Sequence, residues 1–343
     1  MLNLKTDRSR IEDALSRVAE RTMRMDEAWD WPCGVAFLGL SDALEATGDE
    51  KIARFLQERI GEFIELGLPP WNVNTCAMTH CLFALHALTG EKAYEEILLA
   101  AIGYLKTKAL RFGEGTLQHT VSSKNDFPEQ AWADTLMMAA LPMLKAGVKY
   151  GDEALINDSL AQFASHIEYL QDRATGLWYH GYDNIDHSHM SGFHWGRANA
   201  WAAVTMSSVS KVLPQPYLYP DFLNVSCSLR DQLSGLKLLQ TENGLWRTVL
   251  DDPDSYEELS ATAGIACAMI RNGNPLHTKY AKKALDGVLA NISEDGSLLN
   301  VSGGTAVMRD LDGYRKVPKT WIQGWGQGLA LSLLSEALRS CGG

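Results

Sequence analysis

Asp134 is the side chain in this sequence whose type and position best fit a general acid. It lies in the segment WADTLMMAALPML, beside Trp132 and one turn into a predicted apolar helix. Aromatic neighbours and a nearby anion would raise the pKa of its carboxyl group, against a helix dipole that would lower it. A solvated polar face and a simple interaction with the helix dipole are the alternative interpretations.

Arg197 and His180 are the other side chains that could contact a charged ligand. A guanidinium forms two parallel hydrogen bonds with a carboxylate, and an acidic protein needs such a local positive charge to bind an anion. Arg197 lies between Trp195 and Trp201 in the sequence, although a surface ion pair is the alternative for this residue. These residue types together indicate a pocket for a small anionic ligand.

Tryptophan-containing segments precede or open alternate predicted helices. Asp, Asn, Arg or His are interleaved with the tryptophans, and aromatic platforms around polar groups suit sugar rings. Because alternate helices of a barrel point the same way, the starts of these helices would ring one mouth. The alternative is that the tryptophans are hydrophobic staples and core residues. The segments are WDWPCG (29–34), PPWNVNT (69–75), EQAWADT (129–135), FHWGRANAW (193–201) and WIQGWGQG (321–328).

The elements that position these segments are predicted to be helices. Almost every long segment repeats its apolar residues with the 3.6-residue period, and no convincing run of alternating strands is present. Twelve helices without a parallel sheet fit either a helical solenoid or an (α/α)6 toroid. The predicted helices cover residues 7–24, 34–47, 49–67, 74–89, 92–109, 129–147, 152–172, 196–212, 220–239, 258–272, 276–291 and 323–339.

The connections between the helices favour the toroid. Four of the longer loops contain a glycine, then an apolar residue and then polar ones, which indicates a turn into a short β-ribbon. These glycines are Gly115, Gly176, Gly244 and Gly296, and their spacing is wider than a solenoid repeat of about 34 to 47 residues. We therefore predict an all-α fold, an (α/α)6 barrel of six helical hairpins with short β-ribbon loops at its rim. No Pro-, Ser- or Gly-rich linker divides the chain, so residues 1–343 are predicted to form one domain.

The composition of the chain excludes several classes of protein. The 343 residues are 46% hydrophobic with a net charge of −11 and no basic tract, which excludes disorder and disfavours nucleic-acid binding. No stretch is long and apolar enough to span a membrane, and the charged N-terminus has no signal-peptide pattern. The six cysteines are scattered, and the HxH pair of His187 and His189 lacks a third ligand. We therefore predict a cytoplasmic protein without a metal site; no pattern predicts an oligomeric state.

The segments WADTLMM, GLWYHGYD and FHWGRANAW resemble those of glycoside hydrolase family 105, the unsaturated rhamnogalacturonyl hydrolases. The similarity extends from WDWPCGVAFLGL to SGGTAVM and GWGQGLALSLLSEA, and family 88, the unsaturated glucuronyl hydrolases, is more distantly similar. The resemblance implies a single (α/α)6 barrel that needs no metal or cofactor. It also implies removal of a 4,5-unsaturated uronic acid from the non-reducing end of lyase-generated oligosaccharides, as in pectin degradation.

The reaction that the resemblance implies is hydration of the C4=C5 vinyl ether rather than displacement at the anomeric carbon. An Asp protonates C4, water adds at C5, and the hemiketal opens with loss of the remaining sugar chain. By motif, this Asp falls on Asp134. The substrate-binding residues predicted with it are Trp31, Asn74, Trp132, His180, Trp195, Arg197, Asn199 and Trp201.

Asn74 is a departure from the family pattern. Family members typically have an Asp in an NLDH-like segment at this place, and here the segment reads NVNT. An amide can form hydrogen bonds with a hydroxyl group but cannot exchange a proton. Unless the motif is shifted along the chain, the resemblance therefore implies altered substrate preference or reduced activity.

Two functions from other classes stay open on the sequence. A sugar epimerase on the same barrel would need two histidines for proton transfer across the ring, for which His180 and His194 are candidates. A catalytically weakened, sugar-binding relative of the family is the third possibility, with Asn74 as its main support. A hydrolase removes the ultraviolet absorbance of the conjugated double bond, whereas an epimerase or a binding protein does not.

Overall fold

The computed structural model describes residues 8–341, and thirteen α-helices form most of that part of the chain. All twelve predicted helices are present, although Asp7, the first residue of predicted helix 7–24, lies outside the described residues. A short additional helix, α12, is not predicted from the sequence. No helix within residues 8–341 is long and apolar enough to cross a membrane. The helices are α1 (Arg8–Thr22), α2 (Trp31–Thr47), α3 (Glu50–Leu66), α4 (Thr79–Thr89), α5 (Lys92–Thr107), α6 (Leu141–Tyr150), α7 (Glu153–Leu170), α8 (Gly196–Val212), α9 (Pro220–Leu236), α10 (Leu259–Asn272), α11 (Thr278–Ala290), α12 (Leu311–Arg315) and α13 (Gly324–Cys341).

The helices form two concentric rings. The inner ring consists of α2, α4, α6, α8, α10 and α13, and the long outer helices pack against the inner helices beside them. The sequence pattern explains the division, because every residue of α8 from Gly196 to Val209 is buried. The outer helix α3 instead buries a single stripe that includes Leu56 and Ile60. This arrangement confirms the predicted (α/α)6 barrel.

The inner ring closes where α2 meets α13, the first and last of its helices. Gly39 and Gly328 lie face to face at this seam. A Cβ atom on Gly39 would lie 2.4 Å from the carbonyl oxygen of Gly328, so a larger residue would push the helices apart. Close packing here brings the tryptophans at the starts of both helices together, with the rings of Trp31 and Trp325 stacked at 4.5 Å.

Short antiparallel β-ribbons lie at the rim, next to the starts of inner helices. The ribbons predicted in the loops of Gly115, Gly176 and Gly244 are confirmed, whereas the loop of Gly296 forms only an isolated bridge. The pairs are β1 (Arg111–Phe112) with β2 (Thr116–Leu117), β3 (Gln130–Trp132) with β4 (Gly181–Asp183), and β5 (Trp246–Arg247) with β6 (Glu257–Glu258).

The prediction that one helix covers residues 129–147 is wrong at its start. Gln130–Trp132 form β3 because they pair with β4, and this long-range pairing outweighs the local helical period. Helical structure begins at Asp134, continues as the π-helical turn Leu136–Ala140 and ends in α6. Asp134 therefore lies at a strand-to-helix junction rather than one turn inside a helix.

The second inner-ring correction concerns the start of α2, which begins at Trp31 rather than at residue 34. The side chain of Asp30 accepts a hydrogen bond from the backbone amide of Trp31 at 2.8 Å. Pro32 suits the first turn of a helix, because its missing N–H would have no partner there. The cap fixes the Trp31 ring at the mouth of the barrel.

Candidate active site

Asp134 and His180 face each other at the mouth of the barrel. The pairing of Trp132 with Gly181 across β3 and β4 brings the residues beside them together. Oδ2 of Asp134 lies 3.5 Å from Nε2 of His180, and neither atom has a hydrogen-bond partner within residues 8–341. The side chain of Asp134 is 14% exposed, and that of His180 is fully buried. A buried carboxylate oxygen beside an unpaired imidazole nitrogen can hold or transfer a proton.

The pKa of Asp134 lies below its ordinary value. Burial raises it, but the hydrogen-bonding interaction with His180 and the electrostatic interactions with His180, His119 and Arg197 outweigh burial. Three basic side chains surround the carboxylate in the free protein, and the predicted rise of its pKa beside a bound anion stays a prediction. An anion bound beside Asp134 would raise its pKa again.

Aromatic rings enclose the Asp134–His180 pair. The centroid of the Trp195 ring lies 3.9 Å from that of His180, and the centroid of the Trp132 ring lies 5.5 Å from it. Trp132 also stacks on His119 at 4.4 Å, with the two planes only 10° apart. Flat apolar faces around a polar centre suit the C–H faces of a sugar ring.

Arg197 is buried, and its guanidinium holds the segment from Ser302 to Thr305. Its Nη1 donates to the carbonyl oxygen of Ser302 at 3.3 Å, and its Nη2 donates to the carbonyl oxygen of Gly303 at 2.8 Å and to Oγ1 of Thr305 at 3.1 Å. The carboxylate of Glu258 lies 3.8 Å from Nη1. The guanidinium is thus fixed in place, and only its Nε is buried without a partner among the described residues.

A row of rings and charge connects Trp31 to the centre of the site. Trp31 stacks on Trp325, whose ring lies 5.4 Å from the guanidinium carbon of Arg197. The same carbon lies 4.3 Å from the ring of Trp195, which in turn packs on His180. Five predicted residues are therefore linked to one another near Asp134. Four of them are in direct contact, namely Trp132, His180, Trp195 and Arg197. Trp31 is linked to Arg197 through Trp325.

Asn74 lies in the turn before the 3-10 helix Thr75–Met78, which leads into α4. It is 6% exposed, and its backbone N–H donates to the carbonyl oxygen of Thr120 at 3.3 Å. Thr120 directly follows His119, the residue that stacks on Trp132. The structure therefore places Asn74 beside the wall of the site, and its contact with a substrate stays a prediction.

Asn199 and Trp201 are buried and contact other parts of the protein rather than the mouth of the barrel. Nδ2 of Asn199 donates to the carbonyl oxygens of Trp178 and Trp195, and its Oδ1 accepts from the backbone amide of Trp178. The side chain of Asn199 is fully buried, as is that of Trp201 inside the inner ring. Asn199 thus joins the loop of Gly176 to the start of α8, and we include neither residue in the proposed site.

Three residues near the site were not predicted as site residues from the sequence. His119 ends the GTLQHT ribbon; Glu258 caps α10 and accepts from the backbone amide of Ser302 at 2.9 Å; and the hydroxyl oxygen of Tyr314 lies 3.0 Å from Nδ1 of His180. The predicted ribbon segment GTLQHT offered a signal for His119, whereas Glu258 was predicted only as the first residue of helix 258–272. Tyr314 comes from α12, for which the sequence gave no periodic pattern.

His194, the second histidine of the epimerase alternative, is held by other groups. Its Nδ1 lies 2.8 Å from Oδ2 of Asp251, and its ring stacks on Tyr179 at 4.6 Å. His180 packs on a different ring, so the two histidines do not share one set of contacts. Within residues 8–341, no three His, Cys, Asp or Glu side chains are grouped to hold a metal ion.

Comparison with known proteins gives consistent matches along the chain. The sequence profile of Glycosyl Hydrolase Family 88 matches residues 5–341. The chain is 48% identical over 342 residues to the unsaturated rhamnogalacturonyl hydrolase YesR of Bacillus subtilis, across 99% of this chain and 98% of that protein.

Two solved structures are also similar. One is the crystal structure of a possible family 105 member from Salmonella enterica serovar Paratyphi A, with a TM-score of 0.92 and 29% identity over 97% of this chain and 94% of that chain. The other is a family 105 glycoside hydrolase from C. acetobutylicum, with a TM-score of 0.82 and 21% identity over 96% of this chain and 98% of that chain. At that identity the second match supports the fold alone.

Proposed function

This chain belongs to Glycosyl Hydrolase Family 88, and from that premise we propose that it removes a 4,5-unsaturated uronic acid from the non-reducing end of lyase-generated oligosaccharides. The observation that carries the proposal is the unpaired Oδ2 of Asp134, which faces His180 between the rings of Trp132 and Trp195. The chain is a glycoside hydrolase, and its substrates are unsaturated uronides.

Asp134 supplies the proton that starts the reaction. In an unsaturated uronide, the C4=C5 double bond is conjugated with the ring oxygen, so protonation at C4 leaves a positive charge shared between C5 and that oxygen. Water then adds to C5 and gives one proton to the Asp134 carboxylate, which restores the starting state of the acid. The hemiketal at C5 opens and leaves C1 as a hemiacetal, which releases the remaining sugar chain.

The substrate itself adjusts the protonation of Asp134. In the free protein the pKa of Asp134 is lowered, so the group is a carboxylate at neutral pH. The uronate carboxylate next to C5 brings a negative charge close to Asp134 and raises its pKa, which populates the acid form in the complex. Activity is therefore expected to fall as the pH rises past the pKa of Asp134 in the complex.

Arg197 supplies the positive charge for the uronate carboxylate. Its guanidinium is fixed beneath the Ser302–Thr305 segment by three acceptors, so it keeps its position without reorganisation when an anion arrives. Trp195 covers one face of the guanidinium and also contacts His180. A sugar that packs on this wall would hold its carboxylate toward Arg197 and its C4 toward Asp134.

Asn74 makes Asp134 the proposed single titrating carboxylate of the reaction. An amide in the place of the usual Asp of the family can orient a hydroxyl group of the substrate but cannot take a proton from water. Both proton transfers then fall to Asp134, as the balanced cycle of donation to C4 and recovery from water allows.

We further propose rhamnogalacturonan-derived, pectin-type oligosaccharides as the preferred substrates and the cytoplasm as the location. The substrate follows the name of the 48% identical relative. The location is supported by buried cysteines that form no disulfide, namely Cys33, Cys76, Cys81 and Cys267. Fractionation of the producing cells tests the location.

The function is tested with lyase-generated disaccharides that carry an unsaturated galacturonyl or glucuronyl residue. We expect the wild-type protein to remove the ultraviolet absorbance of the double bond, and the Asp134→Asn variant to leave it. Disaccharides with a reduced double bond serve as the substrate control and should stay intact. A wild-type protein that binds these sugars without loss of absorbance would support the sugar-binding alternative, and interconversion of saturated sugars would support the epimerase.

A further inference from the structure

Tyr314 is a buried residue that the reaction described above does not use. It lies in α12 with no exposed surface, and its hydroxyl oxygen lies close to three polar groups. Nδ1 of His180 is 3.0 Å away, Oγ of Ser191 is 3.3 Å away, and the backbone amide of Met308 donates to the hydroxyl oxygen at 3.3 Å. The hydroxyl therefore contacts the imidazole on the side opposite to Asp134.

The protons at this hydroxyl group can be counted. The Met308 amide only donates, so it occupies one acceptor position of the Tyr314 oxygen. The single proton of Tyr314 then goes either to Nδ1 of His180 or to Oγ of Ser191. In the first arrangement Ser191 donates to Tyr314 and all three contacts are satisfied; in the second, Nδ1–H of His180 donates to Tyr314 and leaves Nε2 without a proton.

The carboxylate of Asp134 favours the first arrangement. Its Oδ2 is buried and has no hydrogen-bond donor among the described residues, so a proton on Nε2 of His180, 3.5 Å away, is the nearest compensation for its charge. A neutral imidazole with a proton on Nε2 has a lone pair on Nδ1, and Tyr314 is the donor in reach of it.

We propose that Tyr314 is a positioning residue that donates its hydroxyl proton to Nδ1 of His180 and so fixes the tautomer whose Nε2–H faces Asp134. The tautomer exists in the free protein, so its assignment does not depend on the proposed function. Only the expected effect of Tyr314 on turnover rests on that function. Tyr314 touches neither the substrate nor Asp134 in this scheme and acts through His180.

The proposal has a defined consequence for the pH dependence of the reaction. Loss of the Tyr314 hydroxyl frees the His180 ring, so less Nε2–H faces Asp134, and the pKa of that carboxyl group rises. The alkaline limb of the pH–rate profile should then move to higher pH by about one unit, with kcat reduced on the order of tenfold because the ring is less well positioned. The titratable and charged groups around Asp134 and His180 are His119, Arg197 and Tyr314, with His166 and Glu258 behind them.

The test combines Tyr314→Phe with two matched variants. Tyr256→Phe removes another tyrosine hydroxyl, which donates to the carbonyl oxygen of Val317 at 3.0 Å in the same rim region, and should not move the alkaline limb. Ser191→Ala should also leave the limb in place, because Ser191 only donates to Tyr314 in the proposed arrangement. Movement of the limb in Ser191→Ala, or an unmoved limb in folded Tyr314→Phe, would overturn the proposal.

A second measurement needs neither turnover nor a variant of Tyr314. Histidine ¹⁵N resonances of the wild-type protein report which ring nitrogen carries the proton, and His180 is assigned from its absence in His180→Gln. We expect the Nε2–H tautomer, and an Nδ1–H tautomer would refute the role of Tyr314 even if the enzyme hydrates its substrate. If the spectrum shows Nε2–H but no unsaturated uronide is consumed, the proposed function fails and the tautomer assignment stands.

Discussion

The two ends of the barrel differ in whether their buried charged groups have hydrogen-bond partners. At the mouth, Oδ2 of Asp134, Nε2 of His180 and Nε of Arg197 are buried without a hydrogen-bond partner among the described residues. At the opposite end, the carboxylate of Glu336 is also buried, but Arg271 donates to it at 3.1 Å. The buried carboxylate at the opposite end is therefore paired with a cation, whereas Oδ2 of Asp134 at the mouth has no hydrogen-bond donor among the described residues.

The volume of a cavity does not distinguish the candidate active site at the mouth from the opposite end of the barrel. A cavity of about 760 Å³ opens at the opposite end, with Phe83 and Leu88 in its wall. His80 lies at its inner limit, where Nε2 donates to the carbonyl oxygen of Met137 at 2.8 Å, so Nδ1 accepts from Lys145 at 3.3 Å. Burial and the charge of Lys145 lower the pKa of His80 to about 3, so this histidine is neutral and already paired.

Helix direction accounts for part of the contrast. The inner helices begin at the mouth, where their positive ends favour an anionic substrate, and they end at the opposite pole, where their negative ends favour cations. Lys149, Lys211 and Arg271 lie in the last turns of α6, α8 and α10. The direction of the inner helices is therefore consistent with the proposed anion site at the mouth and with the ion pairs at the opposite end.

Replacement of Asp134 by Asn should give the largest effect on activity. The amide has nearly the same shape but cannot deliver a proton to C4, so kcat should fall by ~10²–10⁴. The thermal midpoint should fall slightly, because the lowered pKa of Asp134 means that the folded protein stabilises its charged form. Turnover close to the wild-type rate in a folded Asp134→Asn protein would refute the assignment of the acid.

Replacement of Glu336 by Gln should have the opposite profile. Lys211 at 2.9 Å and Arg339 at 3.3 Å also donate to Glu336, so its loss leaves buried Arg271 without its counter-charge. Breaking such a buried network should cost about 3 kcal/mol of unfolding free energy. Denaturant unfolding measures this loss, while kcat of the folded variant should match the wild type; a large fall in kcat would mean that the two ends are coupled.

Replacement of Arg197 by Lys should affect both activity and stability moderately. An ammonium group cannot reproduce the planar fork that holds Ser302, Gly303 and Thr305, and it places its charge differently toward the uronate. We expect KM to rise and kcat/KM to fall on the order of tenfold, with a lower thermal midpoint. Unchanged kcat/KM would show that the uronate carboxylate binds elsewhere, and Arg247 would be the next residue to replace.

Replacement of Asn74 by Asp should give the smallest effect, seen in the pH profile. A second carboxylate near Asp134 raises the pKa of one member of the pair, so the alkaline limb should move upward by about half a unit. The thermal midpoint should fall somewhat, because position 74 is only 6% exposed and the added carboxylate is partly desolvated. A profile that superimposes on that of the wild type would show that position 74 is too far from Asp134 to interact with it.

Much of the barrel was predictable because its helices differ in pattern. Outer helices such as α3 carry one apolar stripe, and inner helices are apolar all round, so the alternation of both types is visible in the sequence. The predicted Asp134, His180 and Trp195 do lie together in the structure. Their catalytic roles, like the single-domain organisation of residues 1–343, stay predictions.

Prediction from the local sequence pattern was wrong where a segment pairs with a strand that is distant in the sequence. The apolar period of residues 130–132 predicts a helix, but these residues form β3. They pair with β4, which lies about 50 residues later in the chain, and no local sequence pattern predicts this pairing. The lowered pKa of Asp134 in the free protein could not be predicted for the same reason. Its helix and its aromatic neighbours were visible in the sequence, but the convergence of His119, His180 and Arg197 on it was not.

The order and the approximate extent of the long helices, and the residue types around the mouth, follow from the sequence alone, because helical period is a local property. The packing of the whole chain set which of those residues keep polar atoms without a partner among the described residues. Asn199 and Trp201 share a motif with Arg197, yet packing buries and satisfies Asn199 and leaves Asp134 with a free oxygen. Whether a polar atom is left unsatisfied depends on partners that are distant in sequence, such as Tyr314 for His180, and folding alone brings them together.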